Sequence, residues 1–526
     1  MKVFCVLLSC ILLTGCSTNG VQDVGSSPTS TPADTYDETY RPQVHYSPPT
    51  QWMNDPNGMV YFEGEYHLFY QYYPDSNVWG PMHWGHAVSP DLLEWENLPI
   101  ALYPDSLGWI FSGSAVVDHD NTSGLGTDDQ PPLVAIFTYH NDPLEKAGRD
   151  DFQYQGIAYS TDRGRTWTKY AGNPVVPNEE PIRDFRDPKV IWDAEREQWL
   201  MVFAAQDHVM FWRSDNLIDW EHLSDFGKTY GAHGGVWECP DIFPLQVEGS
   251  DETKWVLLLS INPGGPNGGS ATQYFVGDFD GTDFTLDPDF ATEVSDSAAV
   301  WLDYGRDNYA GVTWSDVPKE DGRRIFIGWM SNWDYARDVP TTVWRSAMTV
   351  PRTLSLQQTA EGYRLFSNPI AELTQLRGAP EMFHGEPSLE LTTASGAHEL
   401  ELVYALDESV TTPFGVALRN AEGDALEIGY DPERKAFYSD RRGAGANDFA
   451  DSFAPDRTWA PRLSSSDTLR MHLIFDRASV ELFADGGSTV VTEIFFPIES
   501  LDQLTAVGDN PVIEGTSYPL RSIWKE

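Results

Sequence analysis

The stretch "FWRSDNLIDWEHL", residues 211–223, sets a strand-like run ahead of a Ser-Asp-Asn turn and closes the turn with tryptophan. Ser, Asp and Asn bend a chain readily because their side chains bond the nearby backbone, while aromatic residues favour extended structure. The same arrangement recurs as "AVSPDLLEWENL" (87–98) and "AYSTDRGRTWTKY" (158–170), and more weakly as "FVGDFDGTDFTL" (275–286). The closing aromatics are Trp95, Trp167, Trp220 and Phe284. Their spacing suits a four-stranded propeller blade with its loops. Four copies, together with the region 300–350, predict five blades. The second copy also fits an Asp-box, Ser160-x-Asp162-x-Gly164-x-Thr166-Trp167, whose plainer reading is a structural hairpin turn.

Outward from these turns, short apolar runs such as 134–137, 199–203 and 255–259 alternate with Gly, Pro, Asp and Asn, and long helical periodicity is nearly absent. The chain therefore reads as all-β. The stretch "NPIAELTQL" (368–376) reads as a short helical connector. Beyond it, runs at 398–404, 469–475 and 479–483 alternate apolar and polar, as in a β-sandwich open to water on its outer faces. The expected order is a propeller over 41–366, a linker over 367–380 and a sandwich over 381–526.

The N-terminus reads as targeting sequence. Lys2 precedes a mainly apolar run too short to span a bilayer, and the run ends in Leu13-Thr14-Gly15-Cys16. This resembles a bacterial lipobox, which implies a signal peptide over 1–15 and lipidation of Cys16. The expected location is outside the cytoplasm, on the outer membrane if the source is Gram-negative. Residues 16–40, rich in Ser, Thr, Pro and Asp, are expected to be a disordered tether. Of the 4 cysteines, Cys239 alone would remain free in the mature chain, so no intrachain disulfide is expected. No spaced Cys/His cluster predicts a metal, and no cofactor is expected.

The formal charge is −46, from 80 acidic and 34 basic residues. Such a surface repels nucleic acid and suits a neutral substrate; it also fits adaptation to high salt. Aromatic residues make up 13% of the chain.

Three acids have unusual surroundings: Asp55 in "WMNDPNG", Asp187 in "FRDPKV" and Glu238 in "GVWECPDIFP". One acid among 80 is usually a solvated surface group. Together they are more informative, because each stands beside an aromatic or Arg at the start of a predicted strand, and inner propeller strands converge on one axis. Glycoside cleavage needs two carboxyl groups, one protonated and one ionised. The Trp, Cys and Pro around Glu238 offer the apolar setting of the acid. Asp55 lies in a predicted turn whose amides should keep it charged, and Asp187 is left to hold sugar hydroxyls, with Arg186 balancing its charge. Aromatic faces with clustered amides around Asp55 are also what sugar rings bind.

"WMNDPNG", "FSGSAV" (111–116), "FRDP" (185–188), "ECPD" (238–241), "WRSAMTVPR" (344–352) and "DRASVELFADGGSTVVTEIFFP" (476–497) resemble glycoside hydrolase family 32, the invertase, levanase and inulinase family. The resemblance implies a five-bladed β-propeller followed by a β-sandwich, and retaining β-fructosidase chemistry. It makes Asp55 the nucleophile, Glu238 the acid/base and Asp187 the transition-state stabiliser. Asn54, Gln71, Trp79, Phe111, Ser112 and Arg186 match its fructose-binding positions, with Trp333 added from "GWMSNWDYA" and Trp52 expected to wall the same ring. The implied substrate is levan, inulin or sucrose, with exo-acting release of fructose. An invertase acting mainly on sucrose and a non-catalytic fructan-binding lipoprotein are the alternatives. An inverting arabinan-type propeller or a sialidase would lack the Asn-Asp-Pro-Asn-Gly start.

Overall fold

A computed structural model describes residues 36–127, 130–294, 298–384, 390–392 and 396–524. The expected signal peptide, Cys16 and most of the tether lie outside the described residues. The expected tether nevertheless ends too late. Tyr36 stacks on Trp524 at 3.8 Å, Tyr40 packs edge-on against Phe496, and Glu38 pairs with buried Arg41. Aromatic burial and a charge-assisted bond fix this segment before residue 41.

Among the described residues, five sheets form the N-terminal part and two form the C-terminal part. Sheet I consists of Gln51–Phe62, Glu65–Tyr73, His83–Ser89 and Glu96–Leu102, and sheet II of Trp109–Val117, Leu133–His140, Gln153–Ser160 and Thr168–Lys169. Sheet III is Phe185–Asp193 to Glu221–Phe226, sheet IV starts with Val236–Gln246, and sheet V starts with Tyr309–Thr313. The first strands of neighbouring sheets touch in that order, and the first strand of sheet V touches that of sheet I. This is a propeller, with the first strands innermost. A late segment, Trp344–Arg345, pairs in parallel with Gln51 and Trp52 and ties the end of the propeller to its beginning.

The repeated motif is the turn between the third and fourth strands of sheets I to IV. In sheet II, Ser160 Oγ donates to Asp162, Asp162 accepts from the Thr166 amide and hydroxyl, and Trp167 Nε1 donates to the Gly164 carbonyl. In sheet III, Ser214, Asn216 and Trp220 make the corresponding bonds. The Asp-box is therefore a turn. Sheet V joins its last two strands through a tight turn at residues 360–361, which explains why its sequence carries no copy.

The propeller extends further than expected. Its last strand is Gly362–Pro369, and the connector is a 3₁₀ helix, Ala371–Leu376, that buries Leu373 and Leu376. The C-terminal part is two six-stranded sheets around a common apolar core. One expectation fails here. Ser479–Ala484 and Thr489–Ile494 are buried along their whole length, because the propeller covers their outer face. The polar residues of their alternation bond across this interface. Glu481 accepts from Arg352, which also donates to Asp303, and both lie in the propeller part. Arg441 of the sandwich donates to Asp307 at 2.6 Å.

Candidate active site

Each inner strand places one or two groups at the same end of the ring. Asp55 comes from sheet I, Ser112 and Phe111 from sheet II, Arg186 and Asp187 from sheet III, Glu238 from sheet IV and Tyr309 from sheet V. All stand near the beginning of their strands. Asp55 was expected in a turn; it lies instead inside a strand, Gln51–Phe62, whose pairing is broken by register shifts at Met53/Pro56 and Asn57/Val60. Register shifts also break the pairing at Ile110/Gly113, Glu238/Asp241 and Tyr309/Val312, and at Val202/Ala204 opposite Asp187. Such bulges turn a side chain away from the regular alternation and into a site. Asp187, Cys239 and Ala310 adopt positive φ of 67°, 47° and 53° beside these shifts. Non-glycine residues hold that conformation only when their surroundings impose it.

Asp55 accepts from Ser112 Oγ at 2.6 Å and from Asn54 Nδ2 at 2.9 Å. Its surroundings are drier than its amide-rich sequence suggests. Burial pushes its carboxyl above the ordinary range, Ser112 opposes that, and the charge of Glu238 adds to it. Asp187 accepts from the Cys239 amide at 3.0 Å, while its own amide donates to Thr138 Oγ1 at 2.9 Å. Burial raises the Asp187 carboxyl to about 7, against the pull of Arg186 and with help from Glu238 and Asp55. Cys239 Sγ lies 3.6 Å from both Asp55 and Asp187, and burial followed by Asp187 keeps its thiol protonated.

Glu238 does not have the apolar setting its neighbours in sequence imply. Arg186 Nη2 donates to Oε1 at 2.9 Å, and the Tyr309 hydroxyl donates to Oε2. Trp237 faces elsewhere, buried with its Nε1 donating to the Ala232 carbonyl at 2.9 Å, since strand alternation sends adjacent side chains to opposite faces. Arg186 also bonds Asp184, and its contact with Asp187 is longer, at 3.8 Å. Arg186 thus balances Glu238 and Asp184 more directly than Asp187. Burial would make Arg186 easier to deprotonate, but Glu238, Asp184 and Asp187 outweigh it.

A pocket of about 430 Å³ opens over these groups and is walled by Trp79, Phe111, Phe152 and Trp333. That volume is within the range of small-ligand sites, about 300–1,000 Å³. Asn54, Gln71, Ser112 and Arg186 also line it. Gln71 Nε2 donates to Asn57 Oδ1 at 2.6 Å and so braces the bulged strand. Trp52 is the exception among the expected binding residues. It is fully buried and lies behind the wall, where its Nε1 donates to Asn54 Oδ1 at 2.7 Å and its ring stacks on Trp333. Trp52 therefore orients the amide that bonds Asp55.

Tyr309, His140, Phe152, Gln153, Asp184, Asn262 and Arg337 also border the site and were missed in the sequence. Asp184, adjacent to "FRDP", could have been inferred from its position; Tyr309 and Asn262 stand in no motif. Arg337 lies between the Trp79 and Trp333 rings, 5.6 Å from each.

The chain matches the description "Glycosyl hydrolases family 32 N-terminal domain" over residues 45–369 and "Glycosyl hydrolases family 32 C terminal" over 372–516. It is 46% identical to a levanase of Bacillus subtilis over 93% of this chain and 72% of that protein. It is 39% identical to an extracellular exo-inulinase of Aspergillus awamori, over 93% of this chain and 96% of the relative. The crystal structure of exo-inulinase from that organism superposes with a TM-score of 0.85 at 36% identity, covering 93% of this chain and all of that one. An invertase of Schizosaccharomyces pombe is 36% identical over 94% of this chain and 87% of that protein. The matched residues take in the inner strands that carry Asp55, Asp187 and Glu238, so the chain is a member of glycosyl hydrolases family 32, a family of glycoside hydrolases.

Proposed function

We propose that the protein hydrolyses β-fructofuranosidic bonds with retention, releasing fructose from the ends of levan or inulin and acting on sucrose as well. The observation that carries this reading is the meeting of three carboxyl groups from three sheets at one end of the ring, each with a different set of partners. Asp55, held by Ser112 and Asn54, is aimed to attack the anomeric carbon. Glu238 delivers a proton to the departing oxygen and then takes one from the attacking water. Both Glu238 oxygens already accept a hydrogen bond, so delivery of a proton requires one donor to turn away. A tyrosine hydroxyl can do this, because it accepts as well as donates. Asp187 holds fructosyl hydroxyls, whose hydrogen bonds favour its charged form. Relatives named levanase and exo-inulinase support polymer ends as the substrate.

The test is product analysis on levan, inulin and sucrose, with NMR of the first product formed. Fructose as the sole early product with retained configuration is expected. Inverted product, or none from any of the three, overturns the reading.

We further propose that Cys16 is acylated and holds the enzyme at the cell surface, where freed fructose is captured before it diffuses. Several acyl chains anchor stably where one does not. Cys16→Ser is expected to move activity from the membrane to the soluble fraction with specific activity unchanged. Wild-type activity that is already fully soluble would refute the anchor.

A further inference from the structure

The inner strands that start at the catalytic pocket end at a second cavity. Its volume is about 590 Å³, larger than the catalytic pocket, and Tyr61, Trp192, Asp120, Asp316 and Lys319 are among its walls. Tyr61 and Trp192 lie close to the C-terminal ends of the inner strands Gln51–Phe62 and Phe185–Asp193, and Asp316 follows the inner strand Tyr309–Thr313. Tyr61 lies six positions beyond Asp55, so the two cavities are roughly 20 Å apart along the strand, on opposite faces of the propeller.

Trp192 is 38% exposed, although the Trp199 ring beside it, 4.9 Å away, is buried. Trp192 thus stays partly open to solvent where it lines the cavity. Trp199 is held by its Nε1 bond to Thr122 Oγ1 at 2.9 Å and backs Trp192 edge-on. Asp316 is braced by the Val117 amide at 2.9 Å and approached by the exposed His119 at 3.4 Å. An exposed indole face beside fixed carboxylates stacks a sugar ring and accepts hydrogen bonds from its hydroxyls. Acidic walls disfavour an anionic ligand. A bound cation is poorly matched, because among the described residues the grouping of side chains close enough to share an ion lies elsewhere, at Glu399, Glu401 and His472.

We propose that this cavity is a second carbohydrate site that binds an internal stretch of the same neutral fructan whose ends the catalytic pocket cleaves. It rests on the proposed fructan substrate. Its effect is one of local concentration: a chain held on the far face keeps the enzyme on the polymer between cleavages, with no benefit for a disaccharide.

The experiment measures retardation of the enzyme in gels containing levan, inulin or dextran, in the Asp55→Asn background so that the polymer survives. The same cavity variants are assayed for hydrolysis in the Asp55 background. Trp192→Ala is expected to reduce retardation by levan or inulin severalfold and to lower kcat/KM on the polymer, while sucrose hydrolysis stays within twofold. Trp192→Tyr, which keeps a flat ring, is expected to restore retardation, and Asp120→Ala, on the exposed rim, to weaken it. Thermal melting confirms that each variant is folded. Unchanged retardation in folded Trp192→Ala and Asp120→Ala overturns the proposal, as does retardation by dextran in preference to both fructans. If the substrate assignment itself is wrong, the intact wild type fails to release fructose from sucrose or fructan, a result independent of every cavity variant.

Discussion

At the site, each carboxyl group has its own set of donors, and this makes their substitutions distinguishable. In the proposed mechanism, Asp55→Asn removes the attacking oxygen and Glu238→Gln the transferable proton. Both are expected to lower kcat on sucrose by several orders of magnitude with the fold retained. Glu238→Gln should lose far less on a fructoside whose leaving group departs without protonation. Equal losses on both substrates would remove Glu238 from the acid role. Asp187→Asn tests the electrostatics. The carboxyl stands at about 7 in the folded site against an unfolded value of 3.8, because burial opposes its charge. The folded state therefore holds a proton that the unfolded state has released, and the stability linked to this group falls as pH rises from 3.8 to 7. Asparagine carries no charge and escapes this loss. The variant is expected to be inactive and to melt higher than the wild type, with a wider gap at pH 8 than at pH 5. A gap independent of pH would show that Asp187 does not titrate in this window.

The strands that carry these residues are irregular at the site, and small residues make the irregularity possible. A Cβ on Gly113 would sit 2.0 Å from the Ile136 carbonyl oxygen, inside the pairing between the first two strands of sheet II. Backbone cannot rotate away as a side chain can, so the strand itself would have to move. Gly113→Ala is expected to cost about 1–3 kcal/mol by chemical denaturation. It should also lower kcat, because Ser112, the preceding residue, holds Asp55. Wild-type stability would mean that the strand yields easily. The repeated turns were legible in the sequence because their bonds are local: Ser160, Asp162, Gly164, Thr166 and Trp167 satisfy one another within eight residues. The bulges were not legible, since a register shift depends on what the partner strand offers. For that reason "WMNDPNG" read as a turn when it is part of a strand.

Across the whole molecule, the propeller and sandwich are joined by buried charge. Arg352, with none of its side chain exposed, donates to Glu481, Asp303 and Thr492. His45, equally buried, bonds Asp476 at 2.8 Å and Glu481 at 2.9 Å; burial would lower its pKa, but the two acids raise it to about 9. Arg352→Met would leave Glu481 and Asp303 without their main counter-charge. Breaking one partner of such a buried pair costs about 3–5 kcal/mol, and the variant should unfold at correspondingly lower denaturant. A loss below about 1 kcal/mol would mean that water or a neighbour replaces the guanidinium. By itself the sequence determined the all-β class, the repeated turns and the order of propeller and sandwich, and it offered the three acids as candidates, because strand alternation, turn chemistry and motif order are local properties. The tertiary structure alone decided that Trp52 lies behind Asn54, that Glu238 is held by Arg186 and Tyr309, and that strands 479–484 and 489–494 are covered on both faces. It also decided where the second cavity opens. Each of these depends on which distant segments meet, and burial and hydrogen-bond pairing are settled only when they do.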